Sequence, residues 1–253
     1  MARRRKSNRR HRRGRFAFLY KLLSILLICG AILAALTLFF RVDTVVVTGE
    51  KKYTEQEILD ASGVKARENL FLLNKYDLAN RLLQALPYIE EVRINRKLPD
   101  TLLISVTECD ATLAVVQDGT AWLVSPDGKI VDSMAPAEAA GQPTVDGVEL
   151  LAPSVGSRLA LGTEYAVRQQ SLLDLLSALE AAGAMDQVQA IHLGDAAMLT
   201  MEFADRFTVD LPYGADYAYK LRVLQDAVIA KLETNQTGTV DLMDDERAYF
   251  RQS

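Results

Sequence analysis

At 253 residues and a formal net charge of −4, the chain can bury a sizeable core, and its average charge names no partner. Two cysteines and two histidines exclude a disulfide-stapled scaffold and leave too few ligands for an ordinary Cys/His metal centre. The distribution of charge says more than its sum.

Residues 1–15 hold Arg3, Arg4, Arg5, Lys6, Arg9, Arg10, Arg12, Arg13 and Arg15 and no acid. The first acidic residue is Asp43, so from residue 41 onward 19 basic side chains face all 33 acidic ones, about −14 in net charge. A basic head on an acidic body points to two compartments. Nucleic-acid binding is a rival reading of the head, but the head lacks aromatics before Phe16 and abuts an apolar run. Topology signal plus contact with anionic membrane lipid is the reading taken, and no nucleic acid is expected.

The run "FAFLYKLLSILLICGAILAALTLFF", residues 16–40, is uncharged from Leu22 to Phe40. At 1.5 Å per residue it reaches roughly 37 Å, enough for a hydrocarbon core of roughly 30 Å with some tilt. Tyr20 and Lys21 suit the interface. A cleaved signal peptide would be shorter and end in small residues, whereas this run ends in "LTLFFRVD". The expectation is a single-pass type II anchor: tail 1–15 cytoplasmic, transmembrane helix 16–40, residues 41–253 outside. Cys29 then lies inside the span and Cys109 beyond it, and the two cannot pair.

Outside the membrane, residues 41–109 read as one compact unit. "VDTVVVTG" is a β-branched strand closed by Gly49. "YTEQEILDASGV" opens on Thr54 with Glu57 three residues on, a capping box, and stops at Gly63. A second helix follows Asn74, with Leu78, Leu82 and Leu86 on one face, Leu83 and Ala85 widening the stripe, and Pro87 ending it. Strands over 90–97 and 101–107 follow, turned by Leu98-Pro99-Asp100, with Leu102, Ile104 and Val106 facing the helices. The order β-α-α-β-β predicts two helices over one face of a three-stranded sheet, with an edge left for docking.

Residues 110–253 predict a mixed, β-rich domain with two helices. Two short strands flank Trp122, expected in the core, and Pro126-Asp127-Gly128 is a turn. "SMAPAEAAGQPTVDGVELLAPSVGSRL" reads as loop between strands. "EYAVRQQSLLDLLSALEAAG" is a helix with Leu172, Leu175, Leu176 and Leu179 on one face, stopped by Gly183. "QVQAIHLG", "AMLTMEFA" and "RFTVDLPYG" alternate as strands, and "ADYAYKLRVLQDAVIAKLE" is a further helix. The overall class is α+β.

Little chemistry is signalled. His192 has no Ser or Cys in a nucleophile motif beside it and reads as structural. "MDDER", residues 243–247, lacks the alternating oxygens and tight glycine of a calcium loop and reads as a solvated turn. Phosphate-cradling glycine patterns are absent. No catalytic residue, metal site or cofactor is expected; paired carboxylates in a cleft leave a cell-wall enzyme as a remote alternative. An open sheet, by contrast, must leave an edge that another chain can extend. The C-terminal "RAYFRQS" is the candidate, through Arg247, Ala248, Tyr249, Phe250 and Arg251, against the alternative of a frayed tail.

"VDTVVVTGEKKYTEQEIL" followed by "LPYIEEVRINRKLPDTLLISVTE" resembles a POTRA (polypeptide-transport-associated) domain, specifically that of the FtsQ/DivIB bacterial division proteins. Val92, Arg96, Pro99, Leu102, Ile104, Val106 and Glu108 carry the pattern. "AVVQDGTAWLVSPDGKIVD" is similar to the start of the family's second, β-rich domain, and "VDL" at 240–242 to its last phrase. The resemblance implies a non-enzymatic scaffold of the divisome at the division septum. Its implied partners are FtsB/DivIC-like and FtsL-like proteins and the septal peptidoglycan synthesis machinery, with a C-terminal strand at Arg247–Arg251 pairing an FtsB/DivIC segment. The POTRA domain is implied to help recruitment. A POTRA-bearing extracytoplasmic secretion or assembly factor is the alternative, but the chain is too short for a barrel after that unit.

Overall fold

The computed structural model describes residues 13–245 and 247–252. Of the basic tail expected over 1–15, residues 1–12 lie outside the described residues. Helix α1 (Arg13–Phe39) follows. Its stretch Phe18–Leu36 is long and apolar enough to cross a membrane, and none of it is buried against the rest of the chain. Every side chain of an anchor must meet lipid, so the helix needs no polar face.

The chain leaves α1 without a free linker. The Phe40 carbonyl accepts the Leu70 N–H at 2.9 Å, Val42 N–H donates to Glu68 O at 2.8 Å, and Arg67 N–H donates to Val42 O at 3.0 Å. The first folded unit begins at once with β1 (Thr44–Thr48), then α2 (Glu55–Ser62), α3 (Lys75–Ala85), β2 (Ile89–Lys97) and β3 (Thr101–Glu108). The strand order is β1-β3-β2, with β1 parallel and β2 antiparallel to β3. Thus the closing strand β3 is central and the edges are β1 and β2. Val47, Ile104 and Ile94 share one row of the register across all three strands and are buried. Ile58, Leu78 and Leu82 from the helices close over them together with Leu102 and Val106. Leu83 is half-buried, but Ala85 is exposed rather than part of the stripe; at the last turn the helix is already leaving the sheet.

Local chemistry explains the helix ends. Thr54 caps α2 with Glu57 reciprocating, and Gly63 closes it in the left-handed region at φ 65°. The Asn74 side chain accepts the Tyr76 N–H at the start of α3. Gly49 ends β1 at φ 93°, and a Cβ there would lie 2.1 Å from the Val106 carbonyl oxygen, so the close approach of β1 to β3 requires glycine. Glu108 is buried at the end of β3 and accepts the backbone N–H groups of Lys51, Lys52 and Tyr53 at 3.2, 2.5 and 3.3 Å. One carboxylate thereby satisfies three successive amides of the β1–α2 loop.

The second unit is a nine-stranded sheet built from β4 (Leu113–Gln117), β5 (Thr120–Val124), β6 (Ile130–Met134), β7 (Thr144–Asp146), β8 (Val188–His192), β9 (Met198–Phe203), β10 (Phe207–Pro212), β11 (Gly238–Asp241) and β12 (Tyr249–Gln252). Its order is β12-β11-β10-β9-β8-β7-β4-β5-β6. Parallel neighbours β7 and β8 are joined by α4 (Ala166–Ala181), and parallel neighbours β10 and β11 by α5 (Tyr217–Arg222) with its continuation. Parallel strands need such crossovers, which is why the sequence carries two helices here. Leu172, Leu175, Leu176 and Leu179 of α4 pack on Leu199, Met201, Phe203, Val209 and Leu211.

Three expectations need correction. The stretch 133–159 is not loop throughout, since β7 lies in it, in the middle of the sheet. Three residues are too few to show alternation, and β7 exists because β4 and β8 pair with both of its sides. Trp122 lies inside β5, half-buried against the main core, rather than between two strands. The helix expected over 215–233 is α-helical only to Arg222, then continues as a π segment Val223–Val228 and a 3-10 turn.

The two units meet at β6. The Tyr88 hydroxyl donates to Asp132 Oδ2 at 2.9 Å, and Lys129 Nζ donates to the Leu83 and Ile89 carbonyls at 2.9 and 3.3 Å. Tyr88, Cys109, Ala114, Ala121, Leu123, Val131 and Ala139 form a small core between them. Cys109 is buried there, its Sγ donating to the Ala111 carbonyl at 2.9 Å. Burial, with the Glu90 carboxylate adding to it, pushes that thiol far up and leaves it without thiolate character.

Candidate partner-binding edge

A nine-stranded open sheet has two margins, and this chain treats them differently. At the start of β6 the chain covers its own edge: Ile130 N–H donates to Ser157 O at 2.8 Å, Gly156 N–H to Ile130 O at 2.7 Å, and Leu159 N–H to Gly128 O at 2.7 Å. At the other end β12 pairs antiparallel with β11, and no described strand lies on its outer side. Backbone donors and acceptors along such an edge accept another strand.

The five nominated residues fall at this margin. Tyr249, Phe250 and Arg251 lie in β12, while Arg247 and Ala248 lead into it and are exposed. Phe250 turns to the core side, opposite Val240, and meets the Phe207 ring edge-to-face at 6.2 Å between centroids. Tyr249 and Arg251 turn to the other face, opposite Asp241 and Thr239. Phe250 thus holds the strand down, and Tyr249 and Arg251 stay available beside the backbone edge.

Register extends this outer face across the sheet. Asp146, His192, Thr200, Asp210, Asp241 and Tyr249 are successive partners from β7 to β12, so they form one row. Within it His192 Nδ1 lies 2.8 Å from Asp146 Oδ2, and Nε2 lies 3.5 Å from Glu202 Oε1. Partial burial lowers the imidazole pKa, but Asp146 and then Glu202 more than offset this, and the net shift is upward. That is a tethered ring on a polar face.

Two residues that hold β12 are ones the sequence reading passed over. Lys220, on α5, is buried with 2% exposure; its Nζ donates to the carbonyls of Leu242 and Asp244, both at 2.8 Å, and pairs with Asp245 at 2.9 Å. The acidic turn 243–247 is accordingly tied to α5 as well as solvated, although Glu246 lies outside the described residues. Tyr217, Lys220, Leu221 and Leu224 share the buried face of the helix, and a lysine inside that apolar spacing was the available signal. Gly238, opposite Gln252, is the second: a Cβ there would sit 2.1 Å from the Arg251 carbonyl oxygen. Among the described residues no group of three or more His, Cys, Asp and Glu side chains is placed to hold a metal ion.

Both folded units match known protein families. Residues 40–108 match the family model "POTRA domain, FtsQ-type", and residues 114–243 match "Cell division protein FtsQ/DivIB, C-terminal". The second match stops short of Arg247–Arg251. The chain is similar to cell division protein DivIB of Clostridium botulinum (strain Hall), 28% identical over 130 residues, which is 51% of this chain and 50% of the relative. It is similar to cell division protein FtsQ of Geotalea daltonii, 24% identical over 191 residues, 73% of this chain and 66% of the relative. DivIB of Streptococcus gordonii is 30% identical over 128 residues, 48% of this chain and 32% of the relative. The chain thus spans about half the length of the DivIB relative from C. botulinum.

Proposed function

The chain belongs to the FtsQ/DivIB family of cell-division proteins, and from that premise we propose that it is a non-enzymatic scaffold of the divisome that works by strand addition at β12. An extended segment of an FtsB/DivIC-like protein adds to the outer side of Tyr249–Gln252, with an FtsL-like protein in the same assembly. The assembly in turn engages the septal peptidoglycan synthesis machinery. Arg247, Ala248, Tyr249, Phe250 and Arg251 are the contact positions, main-chain bonds supplying affinity and the exposed Tyr249 and Arg251 supplying choice. Residues 1–15 stay in the cytoplasm, residues 16–40 span the membrane, 41–109 are the POTRA domain and 110–253 the partner-binding domain, with the C-terminus outside.

One observation carries this reading: β12 is the last strand of the sheet, paired on one side with β11 and with no described strand on the other. The experiment is a pull-down of an FtsB/DivIC-like and FtsL-like pair by the full chain in detergent, with Tyr249→Pro beside it. Proline removes a backbone donor and resists a paired strand. Binding should be lost with an unchanged fold of the POTRA unit. Equal binding by the variant moves the contact elsewhere, and no binding by the parent chain removes the proposal.

A further inference from the structure

The end of the POTRA unit that carries α1 is apolar where it faces away from its own core. In the α2–α3 loop and the start of α3, Phe71, Leu72 and Tyr76 are 48%, 79% and 83% exposed. Leu98 is exposed at the tip of the β2–β3 turn, and that turn belongs to the same end. Thr44, at the start of β1 next to α1, pairs with Thr101, and the N–H groups of Asp43 and Thr44 both donate to Asp100 O. Arg96 Nη2 joins the two by donating to the Leu73 carbonyl at 2.7 Å.

The loop sits at a defined height on the anchor. Asn69 Nδ2 donates to the Leu36 carbonyl at 3.3 Å, and Leu36 is the last residue of the membrane-crossing stretch. The Phe40 ring meets Phe71 edge-to-face at 5.0 Å. The bonds linking Phe40 and Val42 to residues 67–70 fix the loop to the end of α1. The Asn69 side chain thus reaches the Leu36 carbonyl while the Leu70 backbone is bonded to Phe40, so the loop runs beside the last turn of α1, over about 6 Å of its axis at 1.5 Å per residue. Aromatic and aliphatic side chains held at that height have an apolar solvent beside them, and aromatic rings favour the headgroup boundary. Lys75 and Lys97 flank Tyr76 and Leu98 and can extend their ammonium groups to the headgroups, while Asp43, Glu68 and Asp77 keep the surrounding rim mixed in charge.

We propose that Phe71, Leu72, Tyr76 and Leu98 insert into the interface of the leaflet from which α1 emerges, so that the POTRA unit stands on the lipid surface in a fixed orientation. The occupant of this patch is the bilayer that holds α1, and the inference rests on α1 spanning it. Insertion removes from water side chains that the fold leaves exposed, and it converts one flexible anchor point into a footprint. The second unit meets the POTRA unit at β6, at the far end of its sheet from β12.

The test uses the full chain in phosphatidylcholine/phosphatidylglycerol vesicles with one labelled cysteine at a time. Leu72→Cys and Val167→Cys are made with Cys29→Ser and Cys109→Ala, and a third version keeps Cys29 with Cys109→Ala; each carries an NBD label. With lipid spin-labelled near the top of the acyl chain, the Leu72 site should emit blue-shifted and lose most of its intensity, while the exposed Val167 site on α4 stays water-like. With lipid spin-labelled deep in the chain, Cys29 should be quenched. Quenched Cys29 with a water-like Leu72 site overturns the footprint and leaves the anchor standing; unquenched Cys29 overturns both. A blue-shifted but unquenched Leu72 site means that protein, such as a second copy, covers the patch, and a quenched Val167 site means general adsorption; either overturns the proposal. Leu72→Asp with the reporter moved to Tyr76→Cys should restore most of the emission, since a carboxylate resists insertion.

Discussion

The ammonium of Lys220 lies 2.8 Å from the carbonyl oxygen of Leu242, inside a core where its side chain is almost wholly enclosed. A crossover helix thereby grips the connection between β11 and the last strand. Replacement Lys220→Met keeps the stem but removes every donor, leaving the Leu242 and Asp244 carbonyls without it. A hydrogen bond to a charged group contributes about 1.5–3 kcal/mol, so the variant should lose about 2–3 kcal/mol in denaturant unfolding. Partner binding should fall with it, because β12 loses its approach; full binding by the variant would show that the turn needs no tether.

Gly238 tests the same strand from the other side. Alanine there drives a Cβ against the Arg251 carbonyl, which is backbone and cannot swing away. Overpacking of this kind costs about 1–3 kcal/mol. Hydrogen exchange at residues 249–252 should accelerate while the amides of β9 and β10 stay protected. Unaltered exchange at β12 would contradict the close approach.

Glu108 is the matching test in the POTRA unit. Glu108→Ala removes one acceptor from the three amides of residues 51–53, and an unsatisfied buried group costs about 1–3 kcal/mol. Because Lys51 and Lys52 are exposed and water can reach part of the loop, the expected loss is about 2 kcal/mol, with Glu108→Gln losing less. A differential scanning experiment that ranks glutamine below alanine would refute the capping role.

His192 gives the chain a pH dependence of known sign. Its folded pKa is raised above the ordinary 6.5 by Asp146 and Glu202 acting against partial burial. The stabilisation from this triad is therefore fully present below about pH 6.5 and is lost as pH rises through the folded midpoint. The difference in melting temperature between the parent and His192→Gln should be larger at about pH 6 than at about pH 9. The imidazole titration followed by NMR should move down in Asp146→Asn; a midpoint below 6.5 in the parent would reverse the assignment.

Much of this was legible one element at a time. The Thr54–Glu57 box, the Asn74 cap, the Leu78/Leu82 stripe and the alternation of Leu102, Ile104 and Val106 are short-range patterns, and the structure follows each. The α+β class and the β-α-α-β-β order came from the same local signals. What the residues could not announce is what depends on distant neighbours. Strand β7 has no alternation to display and exists through pairing with β4 and β8.

Lys220 was half legible. Its place inside the apolar spacing of α5 is a local signal, but the carbonyls of 242 and 244 that it serves are distant in the chain. The Glu108 carboxylate likewise turns on a loop more than fifty residues earlier.

Sequence alone determined the long apolar helix, the helix caps, the apolar faces and the alternating strands, because these obey the periods of a single helix or strand. Tertiary structure decided which strand ends the large sheet among the described residues, how Lys220 and Gly238 seat that strand, and that Phe71, Leu72 and Tyr76 stand beside the end of α1. Those are relations between segments far apart in the chain, set by which backbone groups and side-chain surfaces fill one another's space.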